Sequence, residues 1–203
     1  QSVAAVGAGL ERTGDILCNF GTALVVYALR ETPVIPANDS QISGIDPSSH
    51  SGGGFLLGLE SECGNVIDWL ARLFYKRGGV PQMIADALRQ DSDAESLPQI
   101  TRIGGGSLDL TQLRVGTQPA QLARALLEFY AARFADILGG VREPDAKTGR
   151  LFVGGGLSQS DDWLNFLERR VGMTFVRTPT EHPSLVGIAR IINHARASQH
   201  TID

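Results

Sequence analysis

Two glycine turns carry the residues best suited to chemistry in this chain of 203 residues. The first is Asn19-Phe20-Gly21-Thr22-Ala23; the second is Gly154-Gly155-Gly156-Leu157-Ser158-Gln159-Ser160. Each follows a short apolar run that reads as a strand, and the second opens a helical pattern. A glycine turn with a hydroxyl beside it lets backbone N–H groups approach a phosphate with no Cβ in the way. A strand, a glycine turn and a helix in that order bring a helix N-terminus against a ligand. Two such turns, more than a hundred residues apart, suggest a nucleotide held between separate parts of one fold.

The hydroxyl of Thr22 and the N–H groups beside it suit the terminal phosphates of ATP. A tight hairpin carrying a strand-favouring Thr fits the same residues equally well. Gly154, Gly155 and Gly156 could leave bare backbone for a flat ring or a ribose, with Ser158 and Gln159 offering hydrogen bonds. The alternative is a turn that requires positive φ. Neither these glycines nor Gly7-Ala8-Gly9 form a dinucleotide fingerprint, because G-x-G-x-x-G is absent.

Other candidates have structural explanations. Trp69 and Trp163 are expected to pack rather than to stack on a ligand. Asp161-Asp162 suits the positive end of a helix dipole. Glu60 and Glu62 flank a strand end and receive no role. His182 precedes Pro183 in a turn at a helix start. His50, His182, His194 and His200 show no zinc spacing, so no metal site is expected, and no Ser-His-Asp or Cys-His set can be assembled. Cys18 and Cys63 read as reduced, buried thiols of a cytoplasmic protein.

The composition is that of an ordinary globular chain, 42% apolar and 20% charged, with a net charge of -4. No block of Lys or Arg stands out, which argues against nucleic acid and membrane surfaces as partners. No apolar run reaches the ~18 residues of a membrane span. The first residues lack the basic region of a signal peptide, and the missing initiator Met points to a cut from a longer chain.

The elements that must position the turns follow from periodicity. Residues 2–11 predict an Ala-rich helix that ends at Gly14. Asp15–Phe20 and Leu24–Leu29 predict a hairpin about Gly21-Thr22-Ala23. Thr32–Gly54 predicts an irregular excursion with one or two short strands, then a strand over Phe55–Leu59. Gly64–Tyr75 predicts a helix with Val66, Ile67, Leu70, Leu73 and Phe74 on its apolar side. A second helix spans Pro81–Leu88, and Asp91–Pro98 is polar and exposed. Gly104-Gly105-Gly106 forms a third glycine turn. A long helix starts at an N-cap Thr117 with Pro119 in its first turn and stops at Gly139-Gly140. A strand over Arg150–Val153, a helix capped by Ser160, a strand over Thr174–Val176 and a helix over Pro183–Ala197 complete the chain. No linker divides it into two domains.

This order of motifs resembles the C-terminal half of the FGGY carbohydrate kinases, over nearly the whole chain. The resemblance rests on Gln1–Ala23, Gly64–Leu70, Leu122–Leu138, Phe152–Gly156 and the ending Glu181–Ala189. It implies an α/β fold of actin-like, ribonuclease-H-like architecture, a mixed sheet flanked by helices, with residues 1–203 as one nucleotide-binding domain. It implies an ATP-dependent kinase acting on a sugar or polyol, with Mg2+ and an N-terminal sugar domain as partners; pairing into a homodimer stays open. By position, Gly21, Thr22 and Ala23 would meet the β- and γ-phosphates. Gly64 and Asp68 would lie beside phosphates or ribose, and Gly154, Gly155, Gly156 and Gln159 at the adenosine end. Gln1 would sit beside the sugar. The family's catalytic Asp would fall immediately before Gln1, leaving this chain without a general base.

Three positions depart from the pattern. Ala23 stands where Ser or Gly is usual, and Ser158-Gln159-Ser160 stands where an Asn is common. Gly104–Leu110 replaces a Gly-x-Arg-x-Pro-x-Trp stretch. A non-catalytic nucleotide-binding regulator of the same fold is the alternative.

Overall fold

The computed structural model describes residues 1–46, 53–90, 97–142 and 149–199. His50, His200 and residues 91–96 of the stretch Asp91–Pro98 lie outside the described residues, as do residues 47–52 of the expected irregular excursion; Leu97 and Pro98, expected to be exposed, are buried.

A sheet of six strands organises the chain. β1 (Ile16–Phe20) and β2 (Leu24–Arg30) form the expected hairpin, with Phe20 opposite Leu24. β4 (Gly54–Glu60) pairs antiparallel with β2, and β3 (Gln41–Ile45) pairs antiparallel with β4. β7 (Leu151–Gly154) instead lies parallel to β1, and β8 (Phe175–Arg177) parallel to β7. The sheet is therefore mixed, as expected.

Strand alternation sends side chains to two cores. Ile16, Cys18, Phe20, Leu24, Val26 and Ala28 face the larger one. It is covered by α2 (Gly64–Phe74), α3 (Gly79–Leu88), α4 (Pro119–Val141) and α5 (Asp161–Val171). Leu17, Val25, Tyr27, Leu29 and Phe152 face the smaller core, with Ala4, Ala5 and Ala8 of α1 (Ser2–Ala8). α6 (Pro183–Gln199) packs on α1. Their backbones nearly touch: a Cβ on Gly7 would overlap the Pro183 carbonyl, and one on Gly187 the Val3 carbonyl. The Ala-rich composition of α1 and the glycine in Leu185-Val186-Gly187 thus serve one close helix crossing.

Several expectations need correction. α1 ends at Ala8 rather than running on toward Gly14, because Gly9 adopts a left-handed conformation (φ 89°) that caps it. The Glu11 and Arg12 N–H groups then turn back to donate to the buried carboxylate of Asp15. α4 is capped by Gln118 rather than Thr117, through a reciprocal capping box with Gln121. It also continues through Gly139-Gly140 to Val141, which is buried and whose carbonyl accepts a hydrogen bond from Arg30 Nη2 at 2.6 Å. Finally, α2 buries only Ile67, Leu70 and Ala71; Trp69, Leu73 and Phe74 stand about half exposed (49%, 49% and 46%). Trp69 therefore does not pack as expected, whereas Trp163 does, edge-on to Phe20 at 6.2 Å between ring centroids.

Gly104-Gly105-Gly106 lies at the tip of a separate two-stranded sheet, β5 (Gln99–Gly104) with β6 (Ser107–Thr111). No described helix is long and apolar enough to cross a membrane.

Candidate functional site

β1 and β7 run parallel, and two clefts open beyond their C-terminal ends, where ligands of open α/β sheets are held. The larger, of about 710 Å3, opens on the side of the larger core. Phe20, Gly21 and Thr22 supply one wall, and Gly64, Asn65 and Asp68 of α2 continue it. Val80, Pro81 and Ile84 of α3 form an apolar side. Gly156, Leu157, Gln159, Ser160 and Asp162 close the opposite wall.

The hairpin turn is built to present Thr22. The Gly21 N–H donates to the Ala23 carbonyl at 3.1 Å, so that amide is used inside the turn. The N–H groups of Cys63 and Gly64 donate to the Thr22 and Gly21 carbonyls at 2.8 and 3.0 Å. Thr22 itself is exposed at the tip. Gly64 is required for this seam, since a Cβ there would overlap the Gly21 carbonyl. Ala23 turns away from the cleft and packs against the smaller core.

The three glycines after β7 do three different things. Gly154 lies under the Thr178 side chain, 3.3 Å from where its Cβ would be. Gly155 combines φ +87° with a Cβ position 2.5 Å from the Phe20 carbonyl, so it serves backbone geometry. Gly156 has open space where a Cβ would stand, and it is the one that lines the large cleft. Ser158 is buried, and its hydroxyl donates to the Gly155 carbonyl at 2.7 Å. Ser160 caps α5 as expected, accepting from the Trp163 N–H at 3.2 Å.

Of the sequence-derived site residues, Gly21, Thr22, Gly64, Asp68, Gly156 and Gln159 meet in the large cleft. Gln1, Gly154 and Gly155 meet instead in the smaller cleft of about 280 Å3, on the other side of the sheet, with Asn19, Glu181 and His182. Sequence reasoning missed Asn65, Asp162 and the α3 wall. Asn65 follows Gly64 directly and lies three residues before Asp68, a spacing that puts both on one helix face. Nothing in the sequence marks Val80, Pro81 and Ile84 as a cleft wall rather than core.

Among the described residues the cleft's lining holds two carboxylates, Asp68 and Asp162, and no Lys or Arg. Asp68 pairs with Arg72 at 2.6 Å on the exposed side of α2. Glu62, one residue before α2's cap, accepts the Gly106 N–H at 3.2 Å and so ties the three-glycine tip to the start of α2. Burial pushes the Cys63 thiol up to about 12, with the nearby Glu60 charge adding to it. Burial also raises the Cys18 thiol. Both thiols are free, buried and protonated at neutral pH, which leaves no thiolate nucleophile at this site. Among the described residues no group of His, Cys, Asp and Glu could hold a metal ion unaided.

The sequence and the fold match known proteins. The sequence profile for the FGGY family of carbohydrate kinases, C-terminal domain, matches residues 16–196. The crystal structure of xylulose kinase from Rhodospirillum rubrum superposes with a TM-score of 0.71 at 20% identity, covering 91% of this chain and 39% of that one. Ligand-bound xylulose kinase from Lactobacillus acidophilus gives a TM-score of 0.77 at 15% identity, with 91% and 39% covered. Plasmodium falciparum glycerol kinase with ADP gives 0.69 at 15% identity, with 92% and 40% covered. The chain thus spans about two fifths of the length of these structures. None of the curated proteins matches the sequence. The fold is the actin-like ATPase fold of these kinases, and the chain belongs to the FGGY family of carbohydrate kinases, whose C-terminal domain its sequence matches.

Proposed function

We propose that this chain is the nucleotide-binding half of an ATP-dependent sugar or polyol kinase. The observation that carries the reading is the large cleft. It brings the exposed Thr22 of the hairpin turn, the start of α2 and the bare backbone of Gly156 around one space of about 710 Å3. In this reading the terminal phosphates lie against Thr22, and the base lies between Gly156 and the apolar Val80, Pro81 and Ile84. Asn65, Asp68 and Gln159 offer hydrogen bonds to the ribose and the base edge.

A cleft with two carboxylates and no basic side chain cannot neutralise a triphosphate by itself. Mg2+ bound with the nucleotide would supply that charge and would draw electron density from the transferring phosphoryl group. The chain's own residues hold and orient the nucleotide. The acceptor hydroxyl would approach from the side of Gln1 and the smaller cleft. The base that takes its proton is expected immediately before Gln1, on the chain that also carries the sugar domain. A cytoplasmic setting, where two buried thiols stay reduced, belongs to this reading.

The test is ADP release by the full-length protein with Mg-ATP across polyols, pentuloses, hexuloses and heptuloses. Turnover with one acceptor class establishes the kinase and names its substrate. ATP binding without turnover on any acceptor replaces it with a non-catalytic regulator.

A further inference from the structure

A second cavity, of about 640 Å3, lies between the end of α3, the start of β5, α4 and α5. Three arginines line it: Arg124 from α4, and Arg169 and Arg170 from α5. Leu88, Ile100, Phe129 and Phe166 supply its apolar surface. Arg124 is only 9% exposed. Its Nε and Nη2 donate to Glu128 Oε1 at 3.0 and 2.7 Å, and its guanidinium lies 5.0 Å from the centre of the Phe166 ring. Arg170 approaches the other oxygen of Glu128 at 3.7 Å and is half exposed. Arg169 is exposed.

Among the described residues lining this cavity Glu128 is the one carboxylate, so within that set it offsets one of three positive charges. Arg169 and Arg170 in the last turn of α5 suit the helix dipole. The dipole does not account for a third guanidinium, fixed from another helix at the same cavity, nor for two phenylalanines beside it. Guanidinium forks bind phosphate oxygens in pairs. Aromatic faces take a flat apolar body.

We propose that this cavity binds a small organic phosphate, its anion on the arginine side and its apolar body against Phe129 and Phe166. The site is separate from the nucleotide cleft. On α5, Asp162 faces the cleft and Arg169 the second cavity, about 10 Å apart along the helix at 1.5 Å per residue. The proposal does not depend on the cleft binding ATP.

Phenyl phosphate is the probe, and calorimetry on the full-length protein is the measurement. Saturable binding is expected, with phenol roughly tenfold weaker or worse because it lacks the anion. Arg169→Ala with Arg170→Ala should weaken phenyl phosphate by a similar factor while the thermal transition holds, since both side chains are exposed. Thr22→Val, in the other cleft, should leave it unchanged. The sequence just before Leu97 carries Asp91, Asp93 and Glu95. Should those acids outcompete the probe for the guanidiniums, no binding will be seen and the proposal falls. It also falls if phenol binds as well as phenyl phosphate, if the double variant binds undiminished, or if Thr22→Val abolishes binding.

Discussion

At the scale of single residues, neighbouring glycines separate ligand space from backbone geometry. Gly156 has no positive φ and nothing near its Cβ position. Gly156→Val should therefore keep the fold and cut nucleotide affinity, because the side chain would enter the cleft. Gly155→Val should instead lose about 3 kcal/mol or more of stability, as it forces a β-branched residue to positive φ against the Phe20 carbonyl. Denaturation curves paired with ATP titrations distinguish the two; equal thermal loss in both variants would contradict the assignment. Thr22→Val should weaken ATP by about 1 kcal/mol, roughly fivefold, with stability unchanged. Asp15 contributes to the acid limit of the fold. It is fully buried, and burial alone would raise its pKa; the Arg150 guanidinium and the N–H groups of Glu11, Arg150 and Arg12 outweigh that and hold it below the ordinary 3.8. As pH falls the unfolded carboxyl takes up its proton first. The stability Asp15 contributes is thus complete above about 4 and lost progressively below it. Asp15→Ala should cost about 3 kcal/mol at neutral pH and flatten the acid limb of a plot of Tm against pH.

At the scale of elements, the α1–α6 crossing is the joint most sensitive to added volume. Gly7→Ala and Gly187→Ala each put a methyl group into a facing backbone carbonyl, at a cost toward the upper end of about 1–3 kcal/mol. The second substitution should cost less once the first has pushed the helices apart, a non-additivity that urea denaturation of the two single variants and the double would show. Several elements were legible in the sequence because their signals are local. The β1–β2 hairpin, the Ser160 cap and the body of α4 depend on alternation, a capping hydroxyl and helical spacing within a few residues. The outer side of α2 was not legible. Trp69, Leu73 and Phe74 fit an apolar stripe, but how wide an arc is covered depends on α3 and α4, which are distant in sequence. The separate roles of Gly154, Gly155 and Gly156 were hidden for the same reason: Thr178 and the Phe20 carbonyl decide them.

At the scale of the whole molecule, the proposed function divides the labour between the sheet's two clefts. Gln1 and the α6 start border one, and the Gly21-Thr22 turn borders the other. The chain spans about two fifths of the length of the kinases it resembles, so in the proposed reading these 203 residues alone should bind Mg-ATP yet release no ADP in the presence of any sugar. Sugar-dependent ADP release by the isolated chain would overturn that. The seam between the β1–β2 turn and α2 has a kinetic consequence. Because Cys63 and Gly64 spend their amides on the Thr22 and Gly21 carbonyls, the turn and the helix start cannot open separately. Their amide protons should exchange with deuterium at one shared rate, slow as the strands beside them. A nucleotide entering the cleft, as proposed, then meets this edge already set.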